Sequence, residues 1–330
     1  MKKGIVLINL GTPDDCSVSS VRIYLKEFLS DPRVIAIPSL FRWILVNCII
    51  LPTRPKKSAH AYEKIWTAEG SPLLINSQKL ATAVQEELGE SYQVELAMRY
   101  RTPSIDQAFE QLKSYEEIII LPLFPQYASA TTGSIIDYIF SKQKKNIIFP
   151  SLTIIRDFYK EKGFIESQAD IIKRHLKEDD FLLLSYHGLP ENQLTQFDCK
   201  KNIDPKCVEN QTCVSGCYRS QCLNTSLLLQ EELQLDDKKF MSSFQSRLGK
   251  TPWIKPYTDE VIITLRERGI ENLAIACPAF VSDCLETLEE IGIQAKEQWI
   301  ALGGKNFTLI PCLNDDPLWV KNLSSLLKTN

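Results

Sequence analysis

The sequence predicts an α/β fold of two doubly wound halves, each an about four-stranded parallel sheet flanked by helices. Three observations carry this expectation. Short apolar runs alternate with longer segments of helical period along the chain. The runs are nearly continuous in Ile, Leu and Val, as in strands covered on both faces. A length of 330 residues also exceeds what a single hydrophobic core usually fills.

Taken in order, GIVLINLG precedes the helical SVSSVRIYLKEFLS, YQVELAMRY precedes SIDQAFEQLKSY, and EEIIILPLF precedes SIIDYIFSKQKK. The pattern then restarts with IIFPSLTII before FIESQADIIKRHLKE, FLLLSYHG before SLLLQEELQL, KKFMSSFQS before DEVIITLRERG, and NLAIACPAF before DCLETLEEIG. A last run, NFTLIPCLN, leads into the helical PLWVKNLSSLLK. This places a boundary near residue 150, giving halves 1–150 and 151–330, with the last helix, 317–328, able to return to the first half. In doubly wound sheets ligands bind outside the carboxyl ends of the strands. The positions to watch are therefore Leu10, Arg99, Tyr100, Tyr127, His187 and the acidic segment after Phe280, gathered in a cleft between two Rossmann-like halves.

Composition excludes some classes of function. A net charge of -3, with both signs interspersed, leaves no basic stripe to track phosphates, so nucleic acid is not an expected partner. MKKGIVLINLGTPDD has too few apolar residues to span a bilayer and no cleavage signature, so it reads as a first buried strand of a cytoplasmic chain. Ten cysteines in such a chain point to metal binding or burial rather than disulfides. Cys16, Cys48, Cys277, Cys284 and Cys312 are scattered and read as buried thiols.

One segment does not fit a globular surface. IPSLFRWILVNCIILPTRPKK is apolar over about 37–52, with Arg42 and Trp43 near one end and a basic tail at the other. Two readings stand: a core helix, or a hydrophobic lip resting on a membrane interface, where Trp and basic residues are favoured.

Three histidines occur. His60 and His175 lie among charged residues on helical segments, whereas His187 ends an apolar run and is followed by Gly188. An imidazole at a strand end can accept a proton or bind a metal near neutral pH. In CPAFVSDCLETLEEI, Asp283, Glu286 and Glu290 are spaced three and four apart and share one helix face. Without lysines at matching positions, that row either faces solvent or concentrates a divalent cation.

LINLGTP, RYRTP, FPQYASATTGS, LLLSYHGLP, FQSRLGKTPWIKPYTDE and AFVSDCLETLEEI occur in the order found in ferrochelatases, and the chain resembles that family over nearly its whole length. The resemblance implies two chelatase-type domains and insertion of ferrous iron into protoporphyrin IX, with loss of two protons, to give protohaem. It also implies that His187 and Glu286 face each other at the active site, both as catalytic groups and as ligands for ferrous iron, with Asp283 and Glu290 as an acidic line beside them. Which of His187 and Glu286 takes protons is left open. By the same resemblance Leu10, Trp253 and Phe280 line the porphyrin, Arg99, Tyr100 and Tyr127 add polar and aromatic contacts, and Arg54, Tyr62 and Ser71 correspond to propionate-side contacts. The apolar lip gains an expected partner, the inner face of the cytoplasmic membrane, where protoporphyrin partitions.

Residues 199–222 depart from the common pattern of the family. Cys199, Cys207, Cys213 and Cys217 are separated by seven, five and three residues, without the paired knuckles of ordinary structural zinc sites. The resemblance to some bacterial ferrochelatases implies a [2Fe-2S] cluster on these four, with zinc or unligated thiols as the alternatives. Cys222 reads as a buried thiol at the start of the next helix. Rival functions are a chelatase for another tetrapyrrole and a non-catalytic haem-binding or iron-sensing protein.

Overall fold

The computed structural model describes residues 2–144, 149–194, 216–247, 249 and 251–330. The chain divides into two compact units. The first takes Met1–Phe124, Ala128–Asp157 and Asn314–Asn330, and the second takes Pro125–Tyr127 and Phe158–Leu313.

The first unit holds strands β1 (Lys3–Gly11), β2 (Tyr92–Tyr100), β3 (Glu117–Pro122) and β4 (Ser151–Ile154) in the order β2-β1-β3-β4, all parallel. Its helices are α1 (Val18–Ser30), α2 (Ser39–Ile44), α3 (Leu51–Glu63), α4 (Pro72–Leu88), α5 (Ile105–Gln111) and α6 (Ser134–Gln143), with α11 (Pro317–Lys328) at the carboxyl end of the chain. Val6, Ile8, Ala97, Ile118 and Ile120 from the strands pack with Ala108, Leu112, Ile135 and Ile139 into one core. Pure apolar strands are what a sheet buried on both faces demands. Ser104 starts α5 with a capping box, its hydroxyl accepting from the Gln107 N–H while the Gln107 side chain accepts from the Ser104 N–H. Helix α11 packs against α4.

The run containing Ser151–Ile154 was expected to begin the second half; it is instead the edge strand of the first sheet, with Glu117 opposite Ser151 and Ile120 opposite Ile154. The short crossover through α6 returns the chain beside β3, as right-handed βαβ connections do.

The second unit repeats the pattern. Strands β5 (Phe181–His187), β6 (Phe240–Gln245), β7 (Asn272–Ala276) and β8 (Asn306–Leu309) run parallel in the order β6-β5-β7-β8. They are covered by α7 (Lys162–His175), α8 (Tyr218–Leu233), α9 (Thr258–Glu267) and α10 (Lys296–Ala301). Phe181, Leu183, Leu273 and Ile275 join Val261, Ile262, Leu265, Ile291 and Trp299 in the core. Helix α8 begins at Tyr218, four residues before the expected start, because Cys217 takes the extended N-cap conformation.

Three of the described stretches are π-helical: Leu45–Ile50, between α2 and α3, Ser129–Gly133, ahead of α6, and Glu286–Ala295, ahead of α10. The α3 helix that follows the first takes Pro52 in its first turn, where the missing N–H costs no intrahelical bond. The α2–α3 stretch is not a core helix. Leu40, Phe41, Trp43 and Ile49 are about 60 % exposed, while Val46, Leu51, Pro55, Ala59 and Tyr62 turn inward. Cys48, expected to be buried, lies exposed on this stretch, and Cys16 is half-buried.

Candidate active site

In the second unit the chain leaves β5 for β6 on one side, and β7 lies on the other. The carboxyl ends of β5 and β7 therefore flank the topological switch point, where such sheets bind ligands. His187 is the last residue of β5, and Cys277 to Asp283 follow β7.

Main-chain and side-chain bonds fix His187 closely. Its Nδ1 lies 2.6 Å from the Gly188 carbonyl oxygen. A carbonyl only accepts, so Nδ1 carries a proton, and in the neutral tautomer the lone pair is on Nε2. The His187 carbonyl accepts from the Tyr218 hydroxyl at 2.8 Å, and the Gly188 N–H donates to the Gln245 carbonyl at 2.8 Å. A side chain at 188 has no room, since a Cβ there would stand 2.8 Å from that carbonyl oxygen and 3.3 Å from the Trp253 ring. Trp253 and Phe280 stand on the imidazole, with ring centroids 6.4 and 6.2 Å away.

The acidic residues are not equivalent. Asp283 precedes the helix and is buried, its Oδ1 accepting from the Thr287 hydroxyl at 3.1 Å and from the Cys312 N–H at 3.3 Å. Glu286 opens the π-helix and is half-buried. Glu290 accepts from the Ser246 N–H at 2.7 Å and from the Ser246 hydroxyl. Burial raises its pKa against the lowering effect of the Ser246 hydroxyl and of a protonated His187 nearby. Glu286 pushes the pKa further up. Glu289 is also buried and accepts from the Gln294 amide at 2.6 Å.

The structure thus brings His187, Trp253, Phe280, Glu286 and Glu290 to one strand-end region of one unit. Tyr127 belongs to the same unit, half-buried, its N–H donating to Gln221 at 2.6 Å. Sequence reasoning missed Gln245, Ser246 and Tyr218. A signal existed for the first two in the FQS that ends the strand beside the histidine strand.

The remaining expected residues lie in the first unit. Leu10 is half-buried near the end of β1. The following Gly11 has a φ of 114°, and a Cβ there would lie 2.0 Å from the Tyr100 carbonyl oxygen. Arg54 is half-buried on α3, and Tyr62, on the same helix, is buried against Trp66. Ser71 is buried and its hydroxyl accepts from Thr12 at 2.8 Å. Arg99 donates to Asp31 at 2.6 Å and to the Ser134 hydroxyl at 2.7 Å. The Tyr100 hydroxyl donates to the same Asp31 oxygen at 2.9 Å. Burial, with the Asp31 carboxylate beside it, holds the Tyr100 phenol well above its usual range.

Cys217 is buried at the N-cap of α8, and Cys222 is fully buried within that helix, its thiol raised by burial. Cys199, Cys207 and Cys213 lie outside the described residues. Among the described residues no group of three or more His, Cys, Asp or Glu is placed to hold a metal ion, and no helix is long and apolar enough to cross a membrane.

The repeated four-stranded parallel sheet defines a chelatase-type α/β protein. A solved structure described as SirB from Bacillus subtilis with Fe3+ covers 99% of this chain and 95% of its own, with a TM-score of 0.55. At 14% identity that likeness is one of fold. The family follows from sequence: the ferrochelatase family model matches residues 2–330, and the chain belongs to the ferrochelatase family. A ferrochelatase of Legionella pneumophila (strain Lens) is 51% identical over 327 residues, covering 99% of each chain. One from Coxiella burnetii (strain Dugway 5J108-111) is 47% identical over 338 residues, covering 99% of this chain and 93% of its own. The protein is accordingly a lyase that inserts ferrous iron into protoporphyrin IX, the step that makes haem.

Proposed function

We propose that iron insertion is carried out by His187, at the end of β5, with Glu286 and Glu290 of the π-helix after β7, and that His187 is the proton acceptor. The single observation behind this assignment is the 2.6 Å bond from Nδ1 to the Gly188 carbonyl, which makes Nε2 the basic nitrogen of the neutral tautomer. A free-base porphyrin carries two pyrrole N–H protons, and both leave as ferrous iron binds the four nitrogens. Nε2 takes a proton and becomes an imidazolium. The carboxylate of Glu290, already within electrostatic reach of the ring, stabilises that charge and can take the proton onward, since burial favours its protonated form. His187 is then free for the second proton. Glu286, at the head of the π-helix, supplies carboxylate oxygens suited to ferrous iron, and Asp283 steadies the turn before it through Thr287 and Cys312.

Trp253 and Phe280 form apolar walls beside the histidine, and Leu10, Arg54 and Tyr127 are further porphyrin contacts in this reading. Arg99, Tyr100, Tyr62 and Ser71 are given supporting roles instead, because their side chains pack or bond with neighbours inside the first unit. Glu286→Gln should raise the KM for ferrous iron and lower kcat by about 10²-fold, while protoporphyrin binding stays within about twofold of wild type. Anaerobic insertion, followed by loss of free-base fluorescence, measures this. Wild-type kinetics in the variant would remove Glu286 from the site.

The exposed face of Ile37, Leu40, Phe41, Trp43, Ile44 and Ile49 is a lip that dips into the membrane interface in this proposal, with the exposed Lys56 and Lys57 toward anionic headgroups. Phe41→Ser with Trp43→Ser should weaken binding to phosphatidylglycerol-containing vesicles by about tenfold or more in co-sedimentation. Equal binding by both proteins would show that the lip serves another purpose.

Cys217, buried at the N-cap of α8, is read as one ligand of a [2Fe-2S] cluster shared with Cys199, Cys207 and Cys213. Such a cluster would supply a one-electron redox centre. Anaerobically purified protein should show its visible absorption and bound sulfide, and Cys217→Ser should lose both. Their absence from wild-type protein would overturn the cluster.

A further inference from the structure

Gln245 occupies an unusual place between the two sides of the site. It ends β6, directly opposite His187 in the parallel register, and only 3 % of it is exposed. Its carbonyl accepts the Gly188 N–H, the bond that holds the chain immediately after the histidine. Its side chain reaches the other way. The amide Nε2 donates to the Glu286 carbonyl at 2.8 Å and faces a Glu290 oxygen at 3.4 Å.

The amide cannot turn round. Oε1 accepts from the Ser185 hydroxyl at 2.7 Å and from the Cys277 thiol at 3.7 Å. Ser185 is in turn held by Thr258 at 2.8 Å, and Thr258 by Ser243 at 2.9 Å. Each of these side chains is buried, so the hydroxyl chain delivers a donor to Oε1 and leaves Nε2 pointed at the glutamates. A flipped amide would set its oxygen against a carbonyl and a carboxylate, neither of which can donate.

We propose that Gln245 is a positioning residue for iron insertion, tying the first π-helical turn, Glu286 to Glu290, to the strand end that carries His187. This rests on the assignment of His187, Glu286 and Glu290 to the reaction. Its effect is on the spacing of the proton acceptor from the carboxylates that meet iron. Geometry at this level matters because small misplacements at a reacting centre cost large factors in rate.

The test is a double-mutant cycle on the full chain, with Gln245→Met, Glu290→Gln and the pair. Methionine keeps the shape and removes the donor. Gln245→Met should lower kcat/KM for ferrous iron by about tenfold, and the pair should lose less than about half of that beyond Glu290→Gln, since both changes disturb one turn. The dissociation constant for protoporphyrin should stay within twofold of wild type, about the scatter of such assays. Ser185→Ala, which frees the amide to flip without touching the glutamates, should reproduce a smaller loss of the same kind. Wild-type kinetics in Gln245→Met, or a full tenfold loss that adds to that of Glu290→Gln, overturns the positioning role. A weakened porphyrin constant with an unchanged iron term also overturns it. Failure of the underlying site assignment shows separately, as wild-type kinetics in Glu290→Gln and Glu286→Gln alone.

Discussion

His187→Ala should reduce iron insertion by about 10³-fold with protoporphyrin binding retained, a loss within the range that general acid–base catalysis contributes. The size follows from what no neighbour can replace. Glu290 is another base in the site, but Ser246 engages its carboxylate and burial favours its protonated form. Trp253 offers only an indole N–H donor, and Phe280 offers nothing. Removing the ring also leaves a gap between those two aromatic walls, so the variant should bind porphyrin with a changed fluorescence spectrum. An insertion rate within tenfold of wild type would contradict the assignment of proton transfer to this residue.

The second large effect concerns stability. Asp31 ends α1 and receives Arg99 at 2.6 Å, the Ser134 hydroxyl at 2.6 Å and the Tyr100 hydroxyl at 2.9 Å on a single carboxylate oxygen. Its side chain is 4% exposed and that of Arg99 14%. Asp31→Ala strands a largely buried guanidinium and two buried hydroxyls, and should lower unfolding stability by about 3 kcal/mol. Urea unfolding measures it as a lower midpoint with an unchanged slope. The Arg99→Met, Asp31→Leu pair should recover much of the loss, because removing both charges takes away the desolvated partner. A change below about 0.5 kcal/mol in Asp31→Ala would mean that water replaces the carboxylate and that the network is not buried in solution.

Much of this was legible in the chain. The central strands announce themselves as near-continuous apolar runs because both their faces are covered, and His187 stands out as the single histidine at the end of such a run. The family motifs carry the chemistry with it. What was not legible has physical reasons. Ser151–Ile154 is an edge strand of four residues preceded by Pro150, and its partner is set by a crossover rather than by its own composition. The π-helix at Glu286 keeps the three-and-four spacing of an α-helix in sequence, so its wider turn has no one-dimensional signature.

Asp31 reads as an ordinary helix-terminal residue until Arg99, sixty-eight positions away, is placed beside it. Gln245 reads as a polar strand terminus, and only the register with His187 shows that it faces both sides of the site. The apolar stretch at 37–52 left two readings open in sequence, and the exposure of Phe41, Trp43 and Ile49 excludes the core helix.

The central claim, that Nε2 of His187 takes the pyrrole protons, is tested most directly by chemical rescue. Single-turnover insertion is measured anaerobically in His187→Ala, preloaded with protoporphyrin and mixed with excess ferrous iron, over a series of imidazole concentrations. Recovery that rises with imidazole and follows its neutral form across pH is the expected result, because a free base then does what the side chain did. A rate that is the same with and without imidazole, in a variant that still binds protoporphyrin, would contradict a proton-accepting histidine and move proton transfer to the carboxylates.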